Sequence, residues 1–338
     1  MSFVRIQNGK ETDLTNIPES DKCKTNRIKP ESKFRKTLRK EIRNNGMLYL
    51  MALPAVVCLI VFSYFPMVGL VMAFQNLDFR KGIFTSPFVG FDNFKFLFAT
   101  TDAWRITRNT VVYNVVFIVL TMFFSILVAL LFNELTKKRF AKTVQTIFIM
   151  PHFLSAAVVS MIVNAFLNHS FGYANSILES MGKEPVFWYN TVEVWPYLLV
   201  FIYLWKHTGY QSILYSASIA GISSEYYEAA VLDGASRFKQ AWYITVPHLR
   251  TIMCINLIRS VGRIFRADFG LFYSVPQDSG ALYPVTDVLD TYIYRGLMTL
   301  GNVGMSSAAA FYQSVVGLIL VLIANKIVKS LDSDSAMF

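Results

Sequence analysis

The sequence has few of the residues that build covalent frameworks, metal centres or catalytic sites. Its three cysteines are Cys23, Cys58 and Cys254, and the last two stand in apolar runs, so neither a disulfide framework nor a metal site is expected. The four histidines are scattered along the chain. The patterns His-Glu-x-x-His, Gly-x-Ser-x-Gly and Gly-x-x-x-x-Gly-Lys-Ser/Thr do not occur. We therefore expect no catalytic residues, no metal and no cofactor bound by this chain.

Charge is also scarce, and apolar residues take its place. Charged residues make up 16% of the 338 residues and hydrophobic residues 54%, which is too apolar for a soluble domain of this length. A helix needs about 20 apolar residues to cross a bilayer, and a backbone in lipid must satisfy its own hydrogen bonds. The sequence therefore predicts an all-α membrane protein with six transmembrane helices, near residues 47–75, 110–133, 143–167, 195–219, 250–275 and 307–329.

The basic residues predict an orientation. The first 46 residues contain 12 Lys and Arg, and further basic residues follow the second apolar run and close the last one. Because basic loops stay inside, we expect both termini in the cytoplasm and residues 76–109, 168–194 and 276–306 outside. The predicted domains are a basic cytoplasmic tail (1–45), a membrane domain (46–330) and a cytoplasmic C-terminal tail (331–338). The high sequence pI follows from this topology, and nucleic-acid binding is not expected.

A polar segment at residues 221–249 separates two apolar runs. Ser223 and Ser224 are candidate N-caps, and Gly234 is a candidate helix end, so a short helix outside the bilayer is expected. Pro247 can lie in the first turn of the next helix, where its missing N–H costs nothing. An ordinary solvated loop is the alternative interpretation of this segment.

This segment resembles the cytoplasmic signature loop of ATP-binding-cassette (ABC) importer permeases. The family pattern, Glu-Ala-Ala followed by Asp-Gly-Ala and a later proline, is matched by Glu228, Ala229, Ala230, Asp233, Gly234, Ala235 and Pro247. The resemblance implies the type I permease fold and a coupling loop at 221–249 that contacts an ATPase. Small residues keep such a helix slim enough to enter a groove on that partner.

Other stretches resemble the sugar permeases of this superfamily. They are residues 88–94 (Phe-Val-Gly-Phe-Asp-Asn-Phe), Asn109-Thr110, the stretch from Gly172 to Gly182, and residues 264–273 followed by Asp287, Asp290 and Tyr292. The last stretch is similar to the lipoprotein-linked permeases that import oligosaccharides or polysaccharide fragments. The alternatives are a permease for amino acids or peptides and a secondary transporter, the latter disfavoured because no inverted repeat is evident.

The resemblance also implies partners and a mechanism. The expected partners are a second homologous permease, two ATPase subunits that bind ATP and Mg²⁺, and an extracellular substrate-binding lipoprotein. Together these subunits would work by alternating access in a bacterial cell membrane.

Polar side chains inside two apolar runs are candidate pathway residues, because such residues are costly in lipid and face cavities or partners. At helical spacing, Asn256, Arg259, Ser260, Arg263 and Arg266 share one face of the fifth span, with Asp268 nearly opposite Arg266. We expect Asp268 to meet a partner from another helix, another subunit or water. Tyr203, Lys206, His207, Tyr210 and Gln211 share one face of the fourth span. Contacts between helices are the alternative role for these residues.

Overall fold

The computed structural model describes residues 33–95, 101–135 and 137–331. Within these ranges the chain is helical and contains no β-strand, and Gln75 and Phe88 form an isolated antiparallel bridge. Most of the predicted N-terminal tail, including Cys23, and nearly all of the C-terminal tail lie outside the described residues.

The described part of the chain contains α-helices joined by connections of very different length. In chain order they are α1 (Lys33–Leu59), α2 (Thr101–Asn133), α3 (Lys138–Ile149), α4 (Ala156–Leu167), α5 (Tyr173–Ser180), α6 (Trp195–Ala220), α7 (Ser224–Leu232), α8 (Arg237–Gln240), α9 (Val246–His248), α10 (Arg250–Val261), α11 (Tyr283–Thr286), α12 (Leu289–Met298) and α13 (Val303–Leu331). Turns of π-helix lie at Ile60–Tyr64, Ala241–Thr245 and Gly270–Ser274, and 3₁₀ segments at Phe65–Phe74, Asp92–Phe94, Met150–Phe153, Trp188–Asn190, Val192–Val194 and Gly280–Leu282.

The chain divides into an N-terminal unit that ends at Phe65 and a larger unit that begins at Pro66. In the first unit, α1 begins at Lys33, which lies inside the predicted tail, and its backbone is kinked at Asn45. The helix therefore starts well before the apolar run. The sequence that precedes the run lacks an apolar face but is compatible with a helix.

The larger unit is organised around the contact between α2 and α6. One buried cluster joins these two helices to α4 and to the segment around α11, and it consists of Tyr113, Phe117, Val159, Val163, Trp195, Leu199, Ile202, Leu271, Phe272, Val275, Leu282 and Val288. A second cluster, Ala129, Tyr215, Ile219 and Leu249, lies at the other end of the same helix pair. Within a bilayer, close van der Waals packing of these side chains stabilises the pairing, because lipid chains are as apolar as the side chains and give no hydrophobic driving force.

Among the described residues, three helices are long and apolar enough to cross a membrane: Asn44–Phe74, Asp102–Asn133 and Val303–Lys329. Arg139–Phe153 and Ala156–Leu167 give a fourth crossing if the pair is taken as one span. The predicted span at 195–219 is one helix, α6, but its polar side chains keep its hydropathy below that of a typical span. The number of six spans and their orientation therefore stay predictions.

The predicted continuous helix at 143–167 is wrong, because α3 and α4 are bent by 97° across a short break. Pro151 lies in the 3₁₀ turn before the break, and Ser155 caps α4 with its hydroxyl accepting a hydrogen bond from the Val158 N–H. Proline ends a regular helix and a serine N-cap begins a new one, so these residues explain the bend.

The predicted continuous helix at 250–275 is also wrong. Helix α10 ends at Val261, and a non-helical stretch at 262–268 leads to the π-turn Gly270–Ser274. We call residues 262–268 the broken stretch. Irregular backbone at membrane depth is tolerated where it is buried in protein or lines a cavity. The side-chain contacts described below provide hydrogen-bond partners for backbone groups of the broken stretch.

Candidate functional site

A polar cavity of about 510 Å³ lies inside the larger unit. Its walls come from α2, the turn before the α3–α4 bend, α6, α10, the broken stretch and the start of α12. The lining residues are Asn114, Phe117, Ile118, Thr121, Met122, His152, Tyr203, His207, Tyr210, Gln211, Tyr215, Asn256, Leu257, Arg259, Ser260, Arg263, Arg266, Ala267, Asp268 and Asp290.

The structure brings most of the predicted pathway residues to this cavity. Tyr203, His207, Tyr210, Asn256, Arg263, Arg266 and Asp268 line it, and Lys206 is the one predicted residue that does not. The five polar residues of the predicted fifth-span face all reach the cavity although only three of them stand on a helix. Asn256, Arg259 and Ser260 precede the break after Val261, whereas Arg263 and Arg266 follow it.

Three arginines give the cavity its basic character. Arg259, Arg263 and Arg266 are exposed side chains that line it. Among the residues that the structure describes, none of the three forms an ion pair within 4 Å. Their guanidinium groups are therefore open to a ligand, and a guanidinium presents a planar fork of donors that matches carboxylates.

The two acidic residues of the cavity are held by protein groups. Asp268 lies 3.6 Å from His207 Nε2 and accepts a hydrogen bond of 3.1 Å from the Leu271 N–H. Of the three partners expected for Asp268, the structure shows one on another helix, His207 of α6. The helical projection that placed Asp268 nearly opposite Arg266 does not apply, because residues 262–268 are not helical. Asp290 accepts a 2.6 Å hydrogen bond from the Ala267 N–H.

Three side chains from other helices satisfy the backbone of the broken stretch. The Asn114 amide donates to the Ile264 carbonyl at 2.9 Å, and the Gln313 amide donates to the Phe265 carbonyl. Asp290 supplies the third contact through Ala267. Asn114 and Asp290 also line the cavity, so the groups that stabilise the break belong to the site.

Stacked aromatic rings also belong to the lining. Phe117 and Tyr203 stack with centroids 3.8 Å apart and planes 4° apart. His152 stacks on Tyr210 at 4.2 Å, with planes 8° apart. The sequence analysis missed His152, Phe117, Asn114 and Asp290 as site residues. His152 adjoins Pro151, which marks the bend, and this was the local signal for it.

The 221–249 segment forms a second candidate site. Ser223 is the N-cap of α7, and its hydroxyl accepts a hydrogen bond from the Glu225 N–H. After Leu232 the chain turns through Gly234, whose φ is +73°. The Ala235 N–H donates to the Ala230 carbonyl at 2.8 Å, and the Gly234 N–H donates to the Val231 carbonyl at 3.0 Å. This is a Schellman motif, in which glycine takes the left-handed position without strain.

Most residues of the Glu-Ala-Ala and Asp-Gly-Ala pattern in this segment are exposed to solvent. Glu228, Ala229, Asp233, Gly234 and Pro247 are exposed, while Ala230 and Ala235 are half-buried. Large apolar side chains are exposed around them: Val231, Leu232, Phe238, Trp242 and Tyr243, with Leu232 exposed to 89%. Such a group of exposed apolar residues is typical of a surface that contacts a partner protein or a membrane.

One contact braces this segment internally, and another joins it to the end of α2. The Tyr227 hydroxyl lies 2.9 Å from the Thr245 hydroxyl, and Arg237 pairs with Glu134 at the end of α2. The Arg237–Glu134 pair thus links the segment to the end of α2, whose middle part lines the cavity.

Asn109 and Thr110, which form one of the stretches that resemble sugar permeases, make hydrogen bonds to a distant part of the chain. The Asn109 amide donates to the carbonyls of Pro284 and Asp287, each at 3.1 Å, and the Leu289 N–H donates to the Thr110 hydroxyl. These bonds fasten the start of α12 to α2.

A second asparagine organises the segment between α5 and α6. The Asn175 amide donates to the His169 and Val186 carbonyls, and its oxygen accepts from the Trp188 indole at 2.9 Å.

Comparison with known proteins identifies the family. The family model described as "Binding-protein-dependent transport system inner membrane component" matches residues 121–333. The chain is 32% identical to Protein LplB of Bacillus subtilis (strain 168) over 87% of this chain and 92% of that protein. It is 31% identical to the polygalacturonan/rhamnogalacturonan transport system permease protein YteP of the same strain, over 89% of this chain and 93% of that protein.

Solved structures show the same fold. A bacterial ABC transporter involved in the import of the acidic polysaccharide alginate contains a chain that superposes with a TM-score of 0.79 and 32% identity, covering 88% of this chain and 99% of that one. A second structure, with an alginate pentasaccharide-bound periplasmic protein, gives a TM-score of 0.77 at 32% identity, covering 86% of this chain and 97% of that one. The chain therefore belongs to the family of binding-protein-dependent transport system inner membrane components, the permease subunits of ABC importers, and has their type I permease fold.

Proposed function

We propose that this chain is the permease subunit of an ATP-driven importer for oligosaccharides or polysaccharide fragments. The named relatives support this substrate class, because one is a permease for polygalacturonan and rhamnogalacturonan and another belongs to an alginate importer. The chain would form the translocation path together with a second, homologous permease.

The cavity carries this proposal. Three exposed guanidinium groups and stacked aromatic rings line it, and its two carboxylates are engaged with protein groups. Guanidinium groups donate paired hydrogen bonds to carboxylates and hydroxyls, and aromatic rings pack against the C–H faces of sugars. This chemistry fits a sugar chain that bears carboxylates. Tyr203, Lys206, His207, Tyr210, Asn256, Arg263, Arg266 and Asp268 are the proposed pathway residues.

We propose six spans with both termini in the cytoplasm, within a membrane domain at 46–330 that follows the 1–45 tail. The three apolar helices and the bent pair account for four spans. Helix α6 and the α10–π-turn segment supply the other two, and their polar side chains would face the cavity instead of lipid. The chain would reside in the bacterial cell membrane, with residues 331–338 as a cytoplasmic tail.

The exposed loop at 221–249 is the proposed contact with an ATPase subunit. It combines a slim helix, a tight turn at Gly234 and exposed apolar side chains. ATP and Mg²⁺ would bind in a pair of ATPase partners, and this chain would hold no cofactor. Closure of the ATPases would push α7, and the push would reach the cavity through the Glu134–Arg237 contact and α2.

A substrate-binding lipoprotein outside the cell would deliver the sugar to the outer segments. The cavity would then open alternately to the two sides, and ATP hydrolysis would reset it. An importer for amino acids or peptides is the second candidate, because the loop pattern does not depend on the substrate. The basic character of the cavity would also suit an acidic peptide.

Transport in proteoliposomes tests the proposal. The complete complex is purified with its binding protein, and ATP-dependent uptake is measured for oligogalacturonates, oligoalginates, neutral oligosaccharides and acidic peptides. We expect uptake of an oligosaccharide, with the strongest ATPase stimulation from uronate-containing chains. Uptake of peptides or amino acids without any oligosaccharide would overturn the assigned substrate class.

A further inference from the structure

Three aromatic rings pack around one another beside the cavity. Phe269 and Tyr273 stack with centroids 4.9 Å apart and planes 13° apart. Tyr294 of α12 lies against both rings, at 4.9 Å from Phe269 and 5.0 Å from Tyr273. All three side chains are half-buried, so part of each ring is accessible. We call these residues the aromatic trio.

The trio adjoins cavity-lining residues along two chain segments. Asp268 and Asp290 both line the cavity. Phe269 directly follows Asp268, and Tyr294 lies one helical turn after Asp290, on the same face of α12. Residues of the trio therefore follow cavity-lining residues on both segments.

A polar group that is fixed by ion pairs borders the trio. The Asp278 N–H donates to the Tyr273 carbonyl at 3.1 Å, and the Asp278 carboxylate accepts a hydrogen bond from Arg295 at 2.8 Å. Arg295 also pairs with Asp287, and its guanidinium lies 4.2 Å from the centre of the Tyr283 ring. Arg295 is one residue after Tyr294, so the charged group and the rings share the α12 helix.

The backbone beside the trio is held in an unfavourable conformation. Gln277 and Asp278 have φ angles of +55° and +48° although neither is glycine. Such a conformation is unfavourable for a residue with a side chain and is concentrated at functional sites. The ion pair of Asp278 with Arg295 offsets part of this cost and fixes the turn next to Tyr273.

Accessible aromatic rings beside fixed hydrogen-bonding groups are a combination that suits a carbohydrate. The C–H face of a pyranose packs on an aromatic ring, and its hydroxyls need donors and acceptors at the edge of that ring. We infer that the aromatic trio is a second sugar subsite, which holds one unit of an oligosaccharide while the neighbouring unit occupies the arginine cavity. This inference rests on the proposed function and adds a residue-level subsite to it.

A two-subsite pathway has a consequence for chain length. A short sugar can occupy the arginine cavity alone, whereas a longer chain reaches both subsites at once. Loss of the trio should therefore weaken the transport of longer chains and leave that of disaccharides nearly unchanged. A purely structural role of the trio would affect all chain lengths equally.

The test compares Phe269→Leu and Tyr294→Leu with Phe311→Leu in the complete reconstituted importer. Phe311 belongs to a separate aromatic cluster, with Phe74 at 5.3 Å and Phe94 at 6.0 Å, so it is a matched control for the loss of a packed ring. The probes are oligoalginates and oligogalacturonates of two to five units, each delivered by the binding protein. KM and kcat of uptake are measured for every length.

Both trio variants are expected to raise the KM for pentasaccharides about three- to tenfold, as expected for the loss of one aromatic contact. The KM for disaccharides should change less than twofold. The conservative variants Tyr294→Phe and Phe269→Tyr should keep the wild-type dependence of KM on chain length, which we call the length profile. Phe311→Leu should leave the profile unchanged.

Equal effects on all lengths, or profiles identical to that of Phe311→Leu, would overturn the inference. Loss of the companion permease from the purified trio variants would overturn it as well, because the rings would then serve as a subunit contact. If the wild-type complex transports no oligosaccharide of either series or of the neutral panel, the proposed function itself fails. The two failures are therefore distinguishable.

Discussion

An added Cβ at Gly209 would lie 1.9 Å from the carbonyl oxygen of Phe148. Helix α6 therefore contacts the backbone of α3 directly, one turn before the 97° bend that precedes α4. This contact places His152 against Tyr210, at a centroid distance of 4.2 Å, and so shapes one wall of the cavity. A glycine at this position is a requirement of the packing.

We expect Gly209→Ala to destabilise the protein and to reduce transport. The backbone cannot move away without shifting the bend, and overpacking of this kind costs on the order of 1–3 kcal/mol or more. The thermal unfolding midpoint and the uptake rate of the purified complex report the effect. Gly46→Ala is the control, because a Cβ there meets nothing within 4 Å. Equal midpoints for the two variants would contradict the packing argument.

Gly234→Trp is expected to abolish the docking of the ATPases. The substitution places a large side chain on the exposed turn after α7, and it also strains a backbone with a φ of +73°. Gly182→Trp is a matched control for strain, because Gly182 also has a φ of +73°, has open space around it and follows helix α5. We expect Gly182→Trp to retain ATPase subunits during purification and Gly234→Trp to lose them. Retention of ATPases and of coupled hydrolysis by Gly234→Trp would refute the assigned contact.

Arg263→Gln and Arg266→Gln are expected to weaken the transport of uronate oligosaccharides. A hydrogen bond to a charged group contributes about 1.5–3 kcal/mol, so the KM should rise roughly ten- to a hundredfold. Uptake of a neutral oligosaccharide of the same length should change less. Arg80→Gln serves as the control, because Arg80 is exposed and lies outside the cavity. A KM for uronates that equals the wild-type value in both cavity variants would exclude a substrate contact.

Asn109→Ala is expected to loosen the attachment of α12 to α2. The change removes the two donors that reach the Pro284 and Asp287 carbonyls, and buried polar groups left without partners cost about 1–3 kcal/mol. The unfolding midpoint of the complex should fall, whereas the exposed Asn190→Ala should leave it unchanged. An unchanged midpoint for Asn109→Ala would show that other contacts hold this junction.

Local signals in the sequence predict the 221–249 loop well. Ser223 is the N-cap of α7 and Gly234 takes the left-handed position after it, as their residue types indicate. Caps and turn glycines act within a few residues, so a single sequence contains the information needed to find them.

The breaks in the membrane helices are not predicted, because their causes are distant in sequence. The apolar composition of 250–275 continues through the broken stretch and favours one helix. The donor that satisfies the Ile264 carbonyl is Asn114, and the acceptor for the Ala267 N–H is Asp290. The polar residues were nevertheless assigned to a common cavity, since their cost in lipid does not depend on whether a helix or a turn carries them.

The accessibility of the cavity tests the central claim most directly. Single cysteines are introduced by Asn256→Cys, Arg263→Cys and Tyr210→Cys in a background that lacks Cys23, Cys58 and Cys254. A small water-soluble thiol reagent is then added to one side of the membrane, with and without substrate-loaded binding protein and with different nucleotides. We predict that all three positions react, that labelling from a given side changes with the nucleotide state, and that substrate slows it. Uniform protection of all three positions in every state would place them in buried contacts between helices and contradict the proposed pathway.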